Sequence, residues 1–252
     1  MDAVLNIAAY RFVAISDVDA VIARIRALAE THGLRGSVLV APEGINLFLA
    51  GSEAGIEAFL AALQEDARFN GIVAKRSRSA HVPFAKLKVK RKQEIIAFSG
   101  RPAAVGAQRA PAVEARDLAR WLRTGHDDDG RRIVLLDTRN REEVGYGTFN
   151  DAVTLPIDNF NDLPAAIDGV REQLAGATVV SFCTGGVRCE KAAPWLHDAG
   201  IDRVFQLEGG ILRYFEEVGG DGYDGRCFVF DERIALDPAL RPLRDSAVES
   251  GA

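Results

Sequence analysis

The 252-residue chain is poor in cysteine, with Cys183, Cys189 and Cys227 alone. Three thiols form an odd, sparse set rather than a disulfide framework, so a reducing, cytoplasmic setting is expected. Any cysteine with a task there is expected to be chemical rather than structural. No apolar run approaches the ~18 residues that cross a bilayer, so no membrane partner is predicted. Met1-Asp2-Ala3-Val4 places no basic region ahead of its apolar stretch, which predicts no secretory signal. Histidine is scarce as well: His32, His81, His126 and His197. Only His126 stands in an H-x-[DE] pair, with Asp128, and it merely opens the acidic loop Asp127–Asp129, so no facial iron triad is predicted. No G-x-G-x-x-G follows a strand and no G-x-x-x-x-G-K-[ST] occurs, which removes the common dinucleotide and phosphate cradles. The residues alone identify no cofactor and predict no metal site.

Positive charge is also short overall: 31 Lys/Arg against 36 Asp/Glu leave a net of −5. That sum by itself suggests no nucleic-acid partner, DNA included. The distribution is uneven, however. Residues 1–110 hold 15 Lys/Arg and 10 Asp/Glu, whereas residues 111–252 hold 16 and 26. A split of this kind between halves points to separate roles. Hydrophobic residues at 48% and charged residues at 27% are ordinary for a globular protein, and the length suits two domains or one large one.

Periodicity supplies the elements. Ile7 to Phe12 alternates like a strand. Ser16 or Asp17 caps a helix reaching about His32, with Val18, Val21, Ile22, Ile25 and Leu28 on one face. Ser37–Ala41 and Ile45–Ala50 read as strands joined by the turn Pro42-Glu43-Gly44. Ser52 caps a second helix carrying Ile56, Phe59, Leu60 and Leu63. Strand material returns near residues 71–76, 86–89 and 94–98. The order βαββαβ with an added strand pair predicts a ferredoxin-like (acylphosphatase-like) α+β sandwich over residues 1–100. Residues 101–112 form the expected linker, overlapping the Pro/Gly/Ala-rich stretch Gly100 to Pro111. Beyond it the expected order is helix 113–122, strand 133–137, short strand 153–155, helix 165–174, strand 178–182, helix 190–198, strand 204–207 and helix 211–217. Strands alternating with helices predict a parallel α/β domain over residues 113–222. Residues 223–252 are an expected tail, polar and loosely patterned from Asp231.

Residues 75–92 carry eight Lys/Arg, one His and no acid: Lys75, Arg76, Arg78, Lys86, Lys88, Lys90, Arg91 and Lys92 with His81. The plain alternative is a solvated face or an edge strand protected by lysines. Nucleic-acid contact is the favoured reading, because each cation on a phosphate releases counterions. Lys86, Lys88 and Lys90 alternate, so in a strand they share one face while Leu87 and Val89 turn to the core. His81 and Phe84 are candidates to stack on an unpaired base, with Phe84 equally readable as core.

The strongest chemical signal is Cys183-Thr184-Gly185-Gly186-Val187-Arg188-Cys189, set between an apolar strand and an amphipathic helix. Ligands in parallel α/β sheets sit beyond the carboxyl ends of strands, where this cysteine falls. The paired glycines let successive N–H groups turn toward one sulfur, the helix start adds partial positive charge and Arg188 a full one. Each favours thiolate over thiol, hence a nucleophile or a persulfide carrier. Cys189 reads either as helix-start packing or as a candidate second thiol. Cys227 reads as packing. Four residues separate Cys183 from Arg188, one fewer than a dual-specificity phosphatase loop uses, which disfavours phosphoryl transfer.

Three landmarks, Asp137-Thr-Arg139-Asn-Arg-Glu-Glu143, Cys183 to Arg188 and Leu207-Glu-Gly-Gly-Ile211, resemble those of a rhodanese domain. The wording CTGGVRCEKAAPWL, with AYRF, APEGIN and GRCFVFDERIAL elsewhere, is narrower. Over about residues 4–237 the chain resembles the bacterial tRNA uridine hydroxylase family of rhodanese-domain proteins. The resemblance implies an enzyme with an N-terminal ferredoxin-like domain that installs 5-hydroxyuridine at the tRNA wobble position with molecular oxygen as co-substrate. It implies the tRNA anticodon loop as partner, Cys183 as the active-site cysteine and Thr184 to Arg188 as its cradle. Asp137 and Arg139 then fall on the family's acid–Arg pair, read here as loop support. Many relatives end in a cysteine-rich, metal-binding-like segment; this chain has no cysteine after Cys227, so no zinc is expected. The alternative is a sulfurtransferase carrying sulfur as a Cys183 persulfide, with a sulfur donor or acceptor protein as partner. A third reading is an RNA-binding module with a vestigial loop, against which the intact cysteine and glycines weigh.

Overall fold

Alternation places Leu5, Ile7 and Ala9 of strand β1 (Val4–Phe12) in the core of the first half. Helix α1 (Val18–Thr31) buries Val18, Val21, Ile25 and Ala29, a stripe at three- and four-residue spacing. Strands β2 (Arg35–Ala41) and β3 (Gly44–Gly51) form a hairpin in which Ala41 pairs with Gly44. Gly44 has φ +147°, and a Cβ there would lie 2.0 Å from the Arg11 carbonyl oxygen, so only glycine fits. Ser52 caps α2 (Glu53–Gln64) by accepting the Gly55 N–H at 3.1 Å. Strands β4 (Lys75–Ser79) and β5 (Leu87–Arg91) complete a five-stranded sheet of order β4-β1-β3-β2-β5, with α1 and α2 packed on it. Only the β2–β5 pairing is parallel.

Residues 3–98 and 109–244 are described by this computed structural model. Two corrections fall in the first half. Residues 94–98 are not a strand: Ile95 and Phe98 are buried in an irregular segment, and the Ile95 N–H donates to Glu43 at 2.8 Å. The strand expected near 71–76 lies at Lys75–Ser79 instead. The expected linker 101–112 lies largely outside the described residues. Its last residue belongs to a strand, β6 (Ala112–Val113), and the helix expected from residue 113 begins two residues later as α3 (Ala115–Thr124). The reason is pairing: the Gln206 and Glu208 N–H groups donate to Pro111 and Val113, which draws this segment into a sheet.

The second half continues with β7 (Ile133–Asp137), α4 (Arg141–Val144), β8 (Gly147–Phe149), β9 (Val153–Thr154), α5 (Leu163–Ala166) and α6 (Arg171–Leu174). The helix expected over 165–174 is therefore two short helices joined by a 3-10 turn at Ile167–Val170. Then come β10 (Thr178–Phe182), α7 (Cys189–Asp198), β11 (Val204–Leu207) and α8 (Gly210–Glu217). The parallel sheet has order β6-β11-β10-β7-β9, and central β10 is buried at all five positions, as a strand covered on both faces must be.

The expected tail is instead part of the fold. Strand β12 (Tyr223–Gly225) pairs with β8, and β13 (Cys227–Phe228) pairs with β14 (Ala235–Leu236). Tyr223, Cys227, Val229, Arg233, Ala235 and Leu236 are buried. Strands of two or three residues are too short to leave a period in the sequence. Two compact units result, one of Met1–Gly106 with Phe230–Ile234 and Arg241–Ala252, the other of Ala107–Val229 with Ala235–Leu240. Among the described residues no helix is long and apolar enough to cross a membrane.

Candidate active site

Strand β10 delivers Cys183 to the carboxyl end of the parallel sheet, and α7 starts six residues later at Cys189. Between them Gly186 turns with φ +95°, and its N–H donates to Cys183 Sγ at 3.2 Å. The Gly186 carbonyl in turn accepts the Cys189 N–H at 3.1 Å. Gly185 lacks this strain, and a Cβ on it would meet nothing within 4 Å. The cradle therefore rests on one special glycine rather than two.

A second support comes from the α8 start. Ile211 and Leu212 N–H groups donate to the Cys183 and Thr184 carbonyls, both at 3.0 Å. Gly210, at φ +66°, allows that approach: a Cβ there would lie 2.4 Å from the Cys183 oxygen and 2.7 Å from the Gly186 nitrogen. The Leu207-to-Ile211 landmark thus owes its second glycine, Gly210, to the loop it abuts.

Arg188 is buried and donates to both oxygens of Glu143, at 2.9 and 2.8 Å. Glu143 also accepts from the Thr184 hydroxyl at 3.3 Å and caps α4 through the Asn140 N–H at 3.2 Å. Sequence reasoning missed this carboxylate as a partner of the loop; its place in the Asp137–Glu143 landmark was the available signal. Thr138 is likewise unanticipated. Its hydroxyl donates to the Phe182 carbonyl at 2.9 Å and lies 3.8 Å from Cys189 Sγ. Asp137 and Arg139 form a fully buried ion pair whose further partners are the Thr148 hydroxyl and the Gly147 carbonyl, each at 2.7 Å. Their bracing is directed at β8. The half-buried Val187 completes the loop.

Burial alone would push the Cys183 thiol up. Against it, the hydrogen bond from Cys189, the Arg188 charge and the N–H groups of Arg188 and Gly186 hold it down at about 6. Cys189 moves the other way, raised by burial and by the adjacent Cys183 sulfur. Cys227 is pushed up to about 12 by burial, with Glu143 and Asp137 adding to it. One of three buried thiols is thus a thiolate at neutral pH, and the supposed tail cysteine packs beside its cradle. A cleft of about 520 Å³ lined by Leu122, Arg132, Asn150 and Gln173 lies at the other end of β7, away from Cys183. Among the described residues no group of three His, Cys, Asp or Glu side chains is placed to hold a metal ion.

The basic run does not make one patch. Strands β4 and β5 occupy opposite edges of their sheet, about 19 Å apart at ~4.8 Å per strand spacing. Lys75 is a correction: it is buried, with Nζ 4.5 Å from the centre of the Tyr10 ring, a cation–π contact that removes it from any surface. Arg76 pairs with Glu57, Arg78 with Glu53 at 2.8 Å, and Arg91 with Asp19 at 2.8 Å. Lys86, Lys88, Lys90 and Lys92 are exposed along the β5 edge, while Val89 is buried and Leu87 half-buried against the core. His81 is exposed and Phe84 half-buried.

Known proteins agree with this division of the chain. Residues 4–95 match the UPF0176 acylphosphatase like domain, and residues 115–217 match the rhodanese-like domain. A protein of Xanthomonas euvesicatoria pv. vesicatoria (strain 85-10) named tRNA uridine(34) hydroxylase is 62% identical, over 96% of this chain and 98% of its own length. One of the same name from Bordetella avium (strain 197N) is 57% identical over 95% of this chain and 99% of its own. With an acylphosphatase-like domain, a rhodanese-like domain and identity of this extent, the chain belongs to the tRNA uridine(34) hydroxylase family.

Proposed function

We propose that this chain hydroxylates C5 of uridine 34, the wobble position of tRNA, with dioxygen as co-substrate and Cys183 as its reacting group. The observation that carries the reading is identity of 57–62% over nearly the whole chain to relatives bearing that name. The chemistry of the cradle supports it. Uracil C5 is a poor nucleophile until a thiolate adds at C6, which turns C5 into an enolate carbon able to take up oxygen. The Gly186 N–H and the Arg188 charge favour the sulfur as an anion, both as attacking and as leaving group. The first unit is the RNA platform in this reading. Lys86, Lys88, Lys90 and Lys92 on the β5 edge take backbone phosphates of the anticodon loop, whose unpaired bases are free to splay out. Arg76, Arg78 and Arg91 are held in solvent-exposed ion pairs, which cost little to exchange for a phosphate. A tRNA substrate supports a cytoplasmic setting for the reaction.

Nucleoside mass spectrometry of unmodified tRNA incubated with the protein tests this directly. The expected product is 5-hydroxyuridine at position 34, abolished in Cys183→Ala. Full hydroxylation by that variant would remove Cys183 from the reaction, and no product from the wild type would overturn the assignment. The same sulfur in its nest of N–H groups also suits a persulfide, so a sulfurtransferase is the second reading. Thiosulfate-to-cyanide turnover without tRNA product would favour it.

A further inference from the structure

We infer that Cys189 is a working thiol, and that Cys183 and Cys189 together deliver the two electrons the hydroxylation consumes, closing to a disulfide in each turnover. This rests on the hydroxylase reading above. The geometry that points to it is local. Gly186 bonds to both residues, donating its N–H to Cys183 Sγ and accepting the Cys189 N–H through its carbonyl, so one turn sets both cysteines. The two thiols act on each other's charge, Cys189 lowering Cys183 and the Cys183 sulfur raising Cys189. Thr138 holds the far side of Cys189 with its hydroxyl 3.8 Å from Sγ. Cys227, by contrast, donates to the Phe228 carbonyl at 3.7 Å. A low-pKa thiolate beside a second thiol is the arrangement of redox-active pairs, in which the second sulfur resolves what the first begins.

The stoichiometry gives such a pair a task. Converting C5–H to C5–OH with dioxygen places one oxygen atom in the product and sends the other out as water, which requires two electrons and two protons. The pair supplies the electrons: the two sulfurs join, and the water takes one proton from the Cys189 thiol and one from solvent because Cys183 starts as a thiolate, so atoms, charge and electrons balance. The pair then returns to the reduced state by exchange with an external dithiol reductant. Exposure of 1% for Cys183 and 0% for Cys189 keeps bulk oxidants away from the resting pair, which ties its closure to substrate entry.

A single-turnover experiment decides the matter. Reduced protein, freed of reductant, is mixed with unmodified tRNA and dioxygen, then denatured and alkylated. Trypsin cuts after Arg188, between the two cysteines, so a disulfide appears as two linked peptides and reduced thiols as two separate alkylated ones. The expected result is one linked pair per 5-hydroxyuridine, reaction stopping after one equivalent and resuming with dithiothreitol, while Cys227 stays alkylated. Cys189→Ser is expected to fall at least tenfold in the multiple-turnover rate, with its folding checked by circular dichroism. Product formed while both Cys183 and Cys189 stay alkylated would overturn the inference and leave the hydroxylase reading standing. No product even with dithiothreitol would overturn both.

Discussion

At Cys183 two large effects oppose each other. Removing a thiolate from water disfavours it, yet the neighbouring N–H groups, the Cys189 thiol and the Arg188 guanidinium more than offset this, leaving the group near 6. The sign sets a pH dependence. Above about pH 6 Cys183 is anionic, while Cys227, near 12, and Cys189, raised as well, stay protonated. Burial makes alkylation of the folded protein slow, but iodoacetamide that reaches the loop as it opens is expected to modify Cys183 alone at pH 7. Its rate should rise about fivefold from pH 5 to pH 6 and level off by about pH 8, as thiolate fraction dictates. Peptide mapping across that range checks it; equal labelling of the three thiols would contradict the electrostatics. Cys183, Gly186 and Arg188 were legible as a loop because their spacing is local. Glu143 was not, since it stands 45 positions from Arg188 and only the sheet brings them together. Lys75 misled for a related reason: a lysine beside arginines reads as surface until Tyr10, from another strand, is seen to cover it.

Among the elements, β5 carries the largest claim. Its alternation was readable, and Lys88 and Lys90 do lie on the opposite face from buried Val89. What alternation cannot encode is strand order, so a run contiguous in sequence is divided between two sheet edges. If the β5 edge holds the anticodon loop, replacing Lys86, Lys88, Lys90 and Lys92 by Gln should flatten the salt dependence of tRNA binding. The slope of log K against log salt is expected to fall by up to about 3, at ~0.7 per single-strand phosphate contact. Filter binding at several salt concentrations measures it. An unchanged slope would move the RNA elsewhere. Helix α8 makes the complementary point about glycine: Gly210 looks like a helix start in sequence, and the three-dimensional fold makes it the contact that lets the cysteine loop close.

At the scale of the whole molecule, the uneven charge and the Pro/Gly/Ala-rich stretch spoke for two parts, and two compact units are present. The end of the chain was unreadable because its strands are two or three residues long and its segments alternate between units. A protein ending at Gly222 should therefore lose the burial of Cys227, Val229, Ala235 and Leu236. At ~1.5–3 kcal/mol per larger apolar side chain, the loss is roughly 5 kcal/mol or more. Urea unfolding of the shortened chain should show a markedly lower midpoint or no transition; an unchanged midpoint would make the C-terminal segment dispensable. The same segment bears on how the protein is made. Arg233 donates to the Ser77 hydroxyl across 156 positions of sequence, and the Glu232 N–H reaches Pro83. On the ribosome, at ~5–20 residues per second, Ser77 is joined to the chain about 8 to 30 seconds before Arg233. The unit translated first is thus finished last, and a nascent chain cut short before residue 230 releases an incomplete N-terminal unit, a natural target for chaperones and proteases.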